Sequence, residues 1–261
     1  MSFTGFGVVA GAELTEPARR AGADHVEPAI AGNLVVRDGG GWALTDSYAG
    51  ERFPSFAVLV PGDLPLLTSD RHAVDDYFAA VLPIVRSVAE PGATIVFGSG
   101  TARTAPDDMS PSEAHRRFAE VVRTARDTAD VHDLRIVVEP LSRTETNLLH
   151  TVAETVAFLD DADIDGVGVV ADLFHIRNEA ESLEVVRGYG DRIGHVHVSD
   201  PDRLPPGTVD DVWRTFLEAV HDGGYRGAVS LECRWSPDPD VAEAEMRAAL
   251  ERLRAAQPTT A

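Results

Sequence analysis

Lysine is absent from the 261 residues, and all 23 basic residues are arginine. Schiff-base aldolase chemistry and pyridoxal phosphate catalysis both need a lysine amine, so both are excluded. Cysteine is nearly absent as well: Cys233, standing alone, permits no internal disulfide and no zinc-thiolate cluster. No stretch approaches the ~18 consecutive apolar residues of a membrane span. The start, MSFTGFGVVAGAEL, carries neither the basic flank nor the long apolar run of a secretory signal. Positive charge is scarce against 43 Asp and Glu, and the formal net charge of -20 repels phosphate backbones and anionic lipid. The expectation is a cytoplasmic enzyme whose partner is a small molecule, with no nucleic acid and no membrane; homo-oligomer or subunit of an assembly is left open.

What is present, 44% hydrophobic and 25% charged residues, suits one large core or two small ones. Short β-rich runs alternate with longer segments of helical period, the pattern of parallel strands joined by helices. Strands are expected at Gly5–Ala10, His25–Glu27, Phe56–Val60, Thr94–Phe97, Leu134–Glu139, Val167–Asp172, Ile193–Val198 and Ala228–Glu232. Helices are expected at Leu14–Ala21, Ala73–Ala89, Ser112–Ala129, Thr151–Leu159, Glu179–Tyr189, Val209–Asp222 and Val241–Ala255, with Ser110 or Ser112 capping the third of the long ones. Eight strands in about 250 residues predict an α/β fold, a single (β/α)8 TIM barrel over residues 1–256, followed by a disordered polar tail over 257–261. Pro28–Ser55, with its Gly39-Gly40-Gly41 run, has no apolar 3.6 period, so the second helix is expected to be missing or replaced by a loop. An open doubly wound sheet would also alternate β and α. Against it, no Gly-x-Gly-x-x-Gly follows the first strand, and Gly98-Ser99-Gly100 alone is a weak signal.

In a barrel, chemistry gathers where strands end, at the C-terminal face. Four successive strands end in Val137-Val138-Glu139, Val170-Ala171-Asp172, His195-Val196-His197 and Ser230-Leu231-Glu232. A single charged residue at a strand end is usually where the chain meets water. Three carboxylates brought together repel unless a cation sits among them, so the set predicts one divalent metal on oxygen ligands and one nitrogen. His195 and His197 share a strand face, and spacing alone does not choose between them. His197 is nearer the end, whereas His195 would lie one layer deeper as a hydrogen-bonded core residue. For Glu27, at the end of the second strand, a solvated rim position and a substrate contact stay equally open. Trp213 reads as helix packing, and Trp235 as a candidate cap of the pocket.

The sequence resembles the sugar isomerase/epimerase superfamily with the xylose-isomerase-like barrel, especially the ketose 3-epimerases and hydroxypyruvate-isomerase-like proteins. The resemblance runs from about Ala93 to Glu251 and rests on Glu139-Pro-Leu-Ser-Arg-Thr-Glu145-Thr-Asn, Asp172-Leu-Phe-His175, His195-Val-His197-Val-Ser-Asp-Pro-Asp-Arg203 and Leu231-Glu232. It implies that Glu139, Asp172, His197 and Glu232 ligate one divalent metal, usually manganese, with magnesium or cobalt as alternatives. It also implies that Glu139 and Glu232 form the acid/base pair, and that Glu145, His175 and Arg203 hold substrate oxygens. The third and fourth strands, Val58-Leu59-Val60-Pro61 and Val96-Phe97-Gly98-Ser99, lack the histidines with which the nuclease branch binds three zinc ions, which disfavours DNA repair. The lysine that true xylose isomerases place near their metals is missing too.

The expected reaction is proton abstraction next to a carbonyl through an enediolate, giving epimerisation or isomerisation of a sugar. The alternative is a lyase in which the same enediolate expels a β-substituent from a keto-glycoside or a cyclic polyol ketone. A non-catalytic sugar-binding barrel is a third reading, which two facing carboxylates disfavour. In the loops after the seventh and eighth strands, Arg203 and Arg234 are offset by Asp200, Asp202, Asp238 and Asp240, so an unphosphorylated keto-sugar is expected.

Overall fold

The computed structural model describes residues 2–257. Of the expected tail, only Gln257 falls among the described residues; Pro258–Ala261 lie outside them. In chain order the elements are β1 (Gly5–Val9), α1 (Ala12–Arg20), β2 (His25–Glu27), β3 (Val35–Asp38), β4 (Gly41–Leu44), β5 (Phe53–Phe56), α2 (Arg71–Ser87), β6 (Ala89–Phe97), α3 (Gly100–Arg103) and α4 (Pro111–Val131). There follow β7 (Leu134–Val138), α5 (Val152–Asp161), β8 (Gly168–Asp172), α6 (Leu173–Asn178), α7 (Glu184–Gly188), β9 (Ile193–Val198), α8 (Val212–Asp222), β10 (Ala228–Leu231) and α9 (Pro239–Ala255).

Eight strands form one parallel sheet in the order β2-β1-β10-β9-β8-β7-β6-β5. The sheet curls until its edges meet: Ala57 N–H donates to Pro28 O at 3.0 Å, and Ile30 N–H to Ala57 O at 2.8 Å. Helices surround the closed barrel, as a (β/α)8 fold requires.

Strand side chains alternate between the helical ring and the barrel interior. Ile136, Val138, Val169, Ala171, Val196, Val198, Val229 and Leu231 belong to the large outer core with Phe118, Trp213, Phe216 and Met246. Each large apolar side chain buried there contributes about 1.5–3 kcal/mol. The intervening residues Val96, Val137 and Val170 form a separate small cluster, and in the same register Val170 lies beside His195 and Asp172 beside His197. One step below the residues that end the strands, the interior is therefore apolar on β6 to β8 and polar on β9 and β10, where His195 and Ser230 stand.

Three elements differ from expectation. The third barrel strand is Phe53–Phe56, not Phe56–Val60, because Val58 takes a left-handed φ of 50° and turns the chain out of the sheet. Leu59 and Val60 are buried all the same, as loop residues packed on the core. The expected helix Glu179–Tyr189 shrinks to α7 (Glu184–Gly188), and ahead of it an unexpected helix, α6, forms at Leu173–Asn178, with Ala180 at φ 52° between the two. Here Asp172 ends β8 and also starts α6, its Oδ1 accepting from Phe174 N–H at 2.8 Å. The second helix is missing, as expected, and the β3–β4 hairpin stands in its place, turning on Gly39 and Gly40 at φ 55° and 91°. Ser110 resolves the capping choice, its Oγ accepting from Glu113 N–H at 3.2 Å.

Candidate metal centre

Glu139, Asp172, His197 and Glu232 end four neighbouring strands, β7 to β10, and each can offer one ligand atom within 4.8 Å of the others. Backbone ladders set their height: Glu139 N–H donates to Phe97 O and Glu232 N–H to Val198 O, each at 3.2 Å. Asp172 and His197 are fully buried, Glu139 nearly so, and the Glu232 side chain is 24% exposed, the most open of the set.

Two atoms of this group have no hydrogen-bond partner although they are buried, His197 Nδ1 and Glu139 Oε1. They lie 3.4 Å apart, and Nδ1 is 3.2 Å from Glu232 Oε2. Such orphaned polar atoms are costly unless something joins them. Three hard carboxylates and one imidazole nitrogen converging on one point suit a divalent cation, so the residues present fit the metal that the sequence predicts.

Arg203 supplies the positive charge inside the cluster. Its Nη1 donates to Asp172 Oδ2 at 2.8 Å and also to Glu232 Oε2, while its guanidinium stacks 4.1 Å over Phe174. Burial pushes the Asp172 carboxyl up, but Arg203, His175 and His197 outweigh it and hold the group below the usual carboxylate range. The backbone that aims Arg203 is strained, with Asp202 and Arg203 both left-handed at φ 61° and 59°.

His175 sits on α6, where Ser142 N–H donates to its Nδ1 at 3.0 Å. Its Nε2 faces the cluster, 3.0 Å from Arg203 Nη2 and 3.5 Å from Asp172 Oδ2. His175 and Arg203 thus stand side by side at the edge of the cluster. Glu145 lies in the loop after β7, exposed as a residue, while partial desolvation of its carboxyl raises its pKa, opposed by the charges of His175 and Arg203. Trp213 is fully buried in helix packing. Trp235 is partly buried and anchored to the end of β1, its Nε1 donating to Val9 O at 3.2 Å.

Glu27 takes neither of the two positions left open for it. It is completely buried beneath the cluster, where Oε1 meets His197 Nε2 at 3.0 Å and Oε2 meets His195 Nε2 at 2.8 Å. Ser55 and Ser230 hydroxyls also donate to Oε2, at 2.9 and 2.7 Å. Burial raises its carboxyl, but the two histidines prevail and hold it well below the usual range. His25, below, has its pKa lowered to about 4 by burial and meets Ser230 Oγ at 2.9 Å. His195 is the hydrogen-bonded core residue expected.

Other supporting residues were not singled out from sequence. Arg103, fully buried, donates to the carbonyls of Glu139 at 2.8 Å and Leu149 at 3.3 Å, fixing the loop that follows β7. Gly98, just after β6, lies under the Glu139 carboxylate: a Cβ there would lie 2.2 Å from Oε2. The signal available in the sequence was a glycine at a strand end beside an acid-ending strand. Gly98→Ala is expected to leave the thermal midpoint within a few degrees, since only a side-chain tip must move. It should cut turnover at least tenfold, because a displacement of about 1 Å at a reacting group costs on the order of 10²-fold. A thermal melt and a rate assay on the same preparation check both halves.

Comparison with known proteins agrees with this architecture. A family profile described as "Xylose isomerase-like TIM barrel" matches residues 16–256. The D-psicose 3-epimerase of Enterocloster bolteae is 33% identical over 118 residues, covering 44% of this chain and 39% of that protein. The match therefore spans about two fifths of the relative's length. Among solved structures, 3-keto-D-glucoside 4-epimerase from E. coli superposes with a TM-score of 0.75 at 19% identity, covering 96% of this chain and 98% of that one. D-psicose 3-epimerase from Clostridium cellulolyticum H10, solved with D-tagatose, also gives 0.75, at 20% identity, with 97% and 96% covered. At such identities the structural likeness speaks for the fold alone. Among the described residues no helix is long and apolar enough to cross a membrane.

Proposed function

We propose, for a chain that belongs to the xylose isomerase-like TIM barrel family, a metal-dependent sugar epimerase or isomerase that removes and returns a proton next to a carbonyl. One observation carries the reading: buried, unpartnered His197 Nδ1 and Glu139 Oε1 face each other within a group that also holds Asp172 and Glu232. Those four residues would hold one divalent cation; their donor set suits manganese, magnesium or cobalt, and the family resemblance favours manganese. When bound, it would polarise a ketone oxygen and an adjacent hydroxyl, making the neighbouring C–H acidic.

The chain's own residues supply the rest. Glu139 and Glu232 belong to β7 and β10, with β8 and β9 between them, so a sugar lying across the cluster meets a carboxylate from each side. One takes the proton and the other returns it, which inverts a hydroxyl-bearing carbon or moves the carbonyl. His175 Nε2 and the Arg203 guanidinium face a substrate oxygen at the edge of the cluster, the guanidinium as donor. Glu145, in the adjoining loop, accepts from a substrate hydroxyl.

The substrate is a free keto-sugar. Phosphate in this fold is commonly bound by backbone N–H groups after the seventh and eighth strands. Here those donors already serve carboxylates. Asp200 Oδ2 accepts from Thr208 and Val209 N–H at 2.9 and 2.8 Å, Asp210 Oδ1 from Val212 N–H at 3.0 Å, and Asp238 Oδ1 from Asp240 N–H at 3.0 Å. The expected kcat/KM is therefore higher on a free ketose than on its phosphorylated counterpart. A tenfold preference for the phosphorylated partner would overturn the substrate class and leave the acid/base scheme standing. Product analysis tests the reaction type: epimerisation or isomerisation gives a sugar of unchanged mass, whereas an unsaturated product would assign the protein to elimination.

A further inference from the structure

We propose that Glu27 is a positioning residue that makes His197 a metal ligand, holding the imidazole proton on Nε2 so that Nδ1 keeps a lone pair toward Glu139, Asp172 and Glu232. The inference rests on the metal-dependent reading above. Its basis is the geometry of β2, which crosses below the mouth of the barrel and brings a carboxylate against two strand-facing histidines of β9.

An ionised carboxylate only accepts hydrogen bonds. Glu27 Oε1 lies 3.0 Å from His197 Nε2, so that nitrogen bears the proton. The other nitrogen, Nδ1, has no hydrogen-bond partner and is aimed at the carboxylate cluster. Metal-ligating histidines commonly donate their second N–H to a carboxylate, which fixes the ring's orientation and raises its basicity; removing that partner typically weakens metal binding 10–100-fold.

Glu27, His195 and His197 could themselves be taken for a second metal site, since their ligand atoms also converge. The spacing argues otherwise. Separations of 2.8 and 3.0 Å between the Glu27 oxygens and the two imidazoles are hydrogen-bond lengths. Oε2 is moreover committed to the Ser55 and Ser230 hydroxyls. Protons, not a cation, join these groups, and the stack of His25, Ser230 and Ser55 beneath Glu27 keeps its carboxylate from turning away.

The test is manganese chloride titrated calorimetrically into metal-stripped protein, with far-UV circular dichroism and thermal midpoints recorded in chelator. Glu27→Gln, which keeps the volume, is expected to weaken manganese binding by about 10–100-fold. Ser55→Ala, which removes a donor from the other oxygen, should change it by less than about threefold. A purely structural Glu27 would lower the thermal midpoint while leaving manganese affinity at the wild-type value, and that result overturns the inference alone. Absence of manganese binding by the wild type overturns the metal-dependent reading and this inference together. If Glu27→Gln does not fold, ring ¹⁵N spectra of magnesium-loaded wild type decide. A protonated Nε2 on His197 supports the proposal, and a protonated Nδ1 with bare Nε2 overturns it.

Discussion

Replacing Asp172 or His197 is expected to abolish metal binding and turnover together while leaving a folded barrel. Removing either ligand leaves the remaining carboxylates of the cluster repelling one another around a weakened cation site. The choice of replacement matters at Asp172, because its Oδ1 also caps α6 through Phe174 N–H. An alanine there would lose about 1 kcal/mol of capping in addition to the ligand. Asp172→Asn keeps an acceptor for the cap and removes the charge, so it separates the two roles. His197→Ala removes the imidazole and leaves the Glu27 carboxylate short of one donor, a buried loss of about 1–3 kcal/mol. Elemental analysis after dialysis against a trace of manganese is the check. Full occupancy in both variants would remove the proposed centre.

The second large effect is expected at the two glutamates. Glu139→Gln and Glu232→Gln preserve shape but cannot carry a proton, so each should lower kcat by roughly 10²–10⁴, with a further loss from weakened metal binding. The two are not expected to fail identically. Glu139 is pinned by Arg103 beneath its carbonyl and by Gly98 beneath its carboxylate, whereas Glu232 is more exposed and shares Arg203 with Asp172. In deuterated water the two variants should therefore differ in which exchange step is slowed. If either amide retains wild-type turnover with metal bound, the two-carboxylate scheme is wrong. Because residues that act as a unit are non-additive, the double variant should lose little beyond the worse single one.

Much of this centre is legible in the sequence, for a definite reason. Parallel strands of a barrel all end at one face, so acids at the ends of successive β-runs are brought together by topology whatever the loops do. Glu139, Asp172, His197 and Glu232 are readable in that way, and so is the missing second helix. Period-two alternation puts His195 and His197 on one face and leaves only depth to separate them.

What is not legible depends on contacts across the barrel. Glu27 reads as either a rim acid or a substrate contact because no local pattern reveals that β2 lies low enough for its carboxylate to reach β9, 168 residues away in sequence from His195. The run Ala57-Val58-Leu59-Val60 has every feature of a buried strand, yet the left-handed Val58 diverts it to loop packing. The helix starting at Leu173 is hidden because one side chain, Asp172, both ends a strand and caps a helix without an intervening turn. Arg103, Ser142 and Gly98 act by supporting a neighbour's position, a role that residue type alone does not announce.

The measurement that bears most directly on the central claim is exchange of carbon-bound hydrogen with deuterated water, followed across a panel of free ketoses and keto-glycosides with metal supplied and with metal chelated. The shared first step, proton removal next to the carbonyl, is detected there whichever product forms. The account predicts deuterium at the carbon next to the carbonyl in at least one sugar and its epimer or isomer, lost on chelation and restored by manganese. Turnover of such a sugar with no solvent deuterium at carbon, or exchange that persists at full rate without metal, would contradict it.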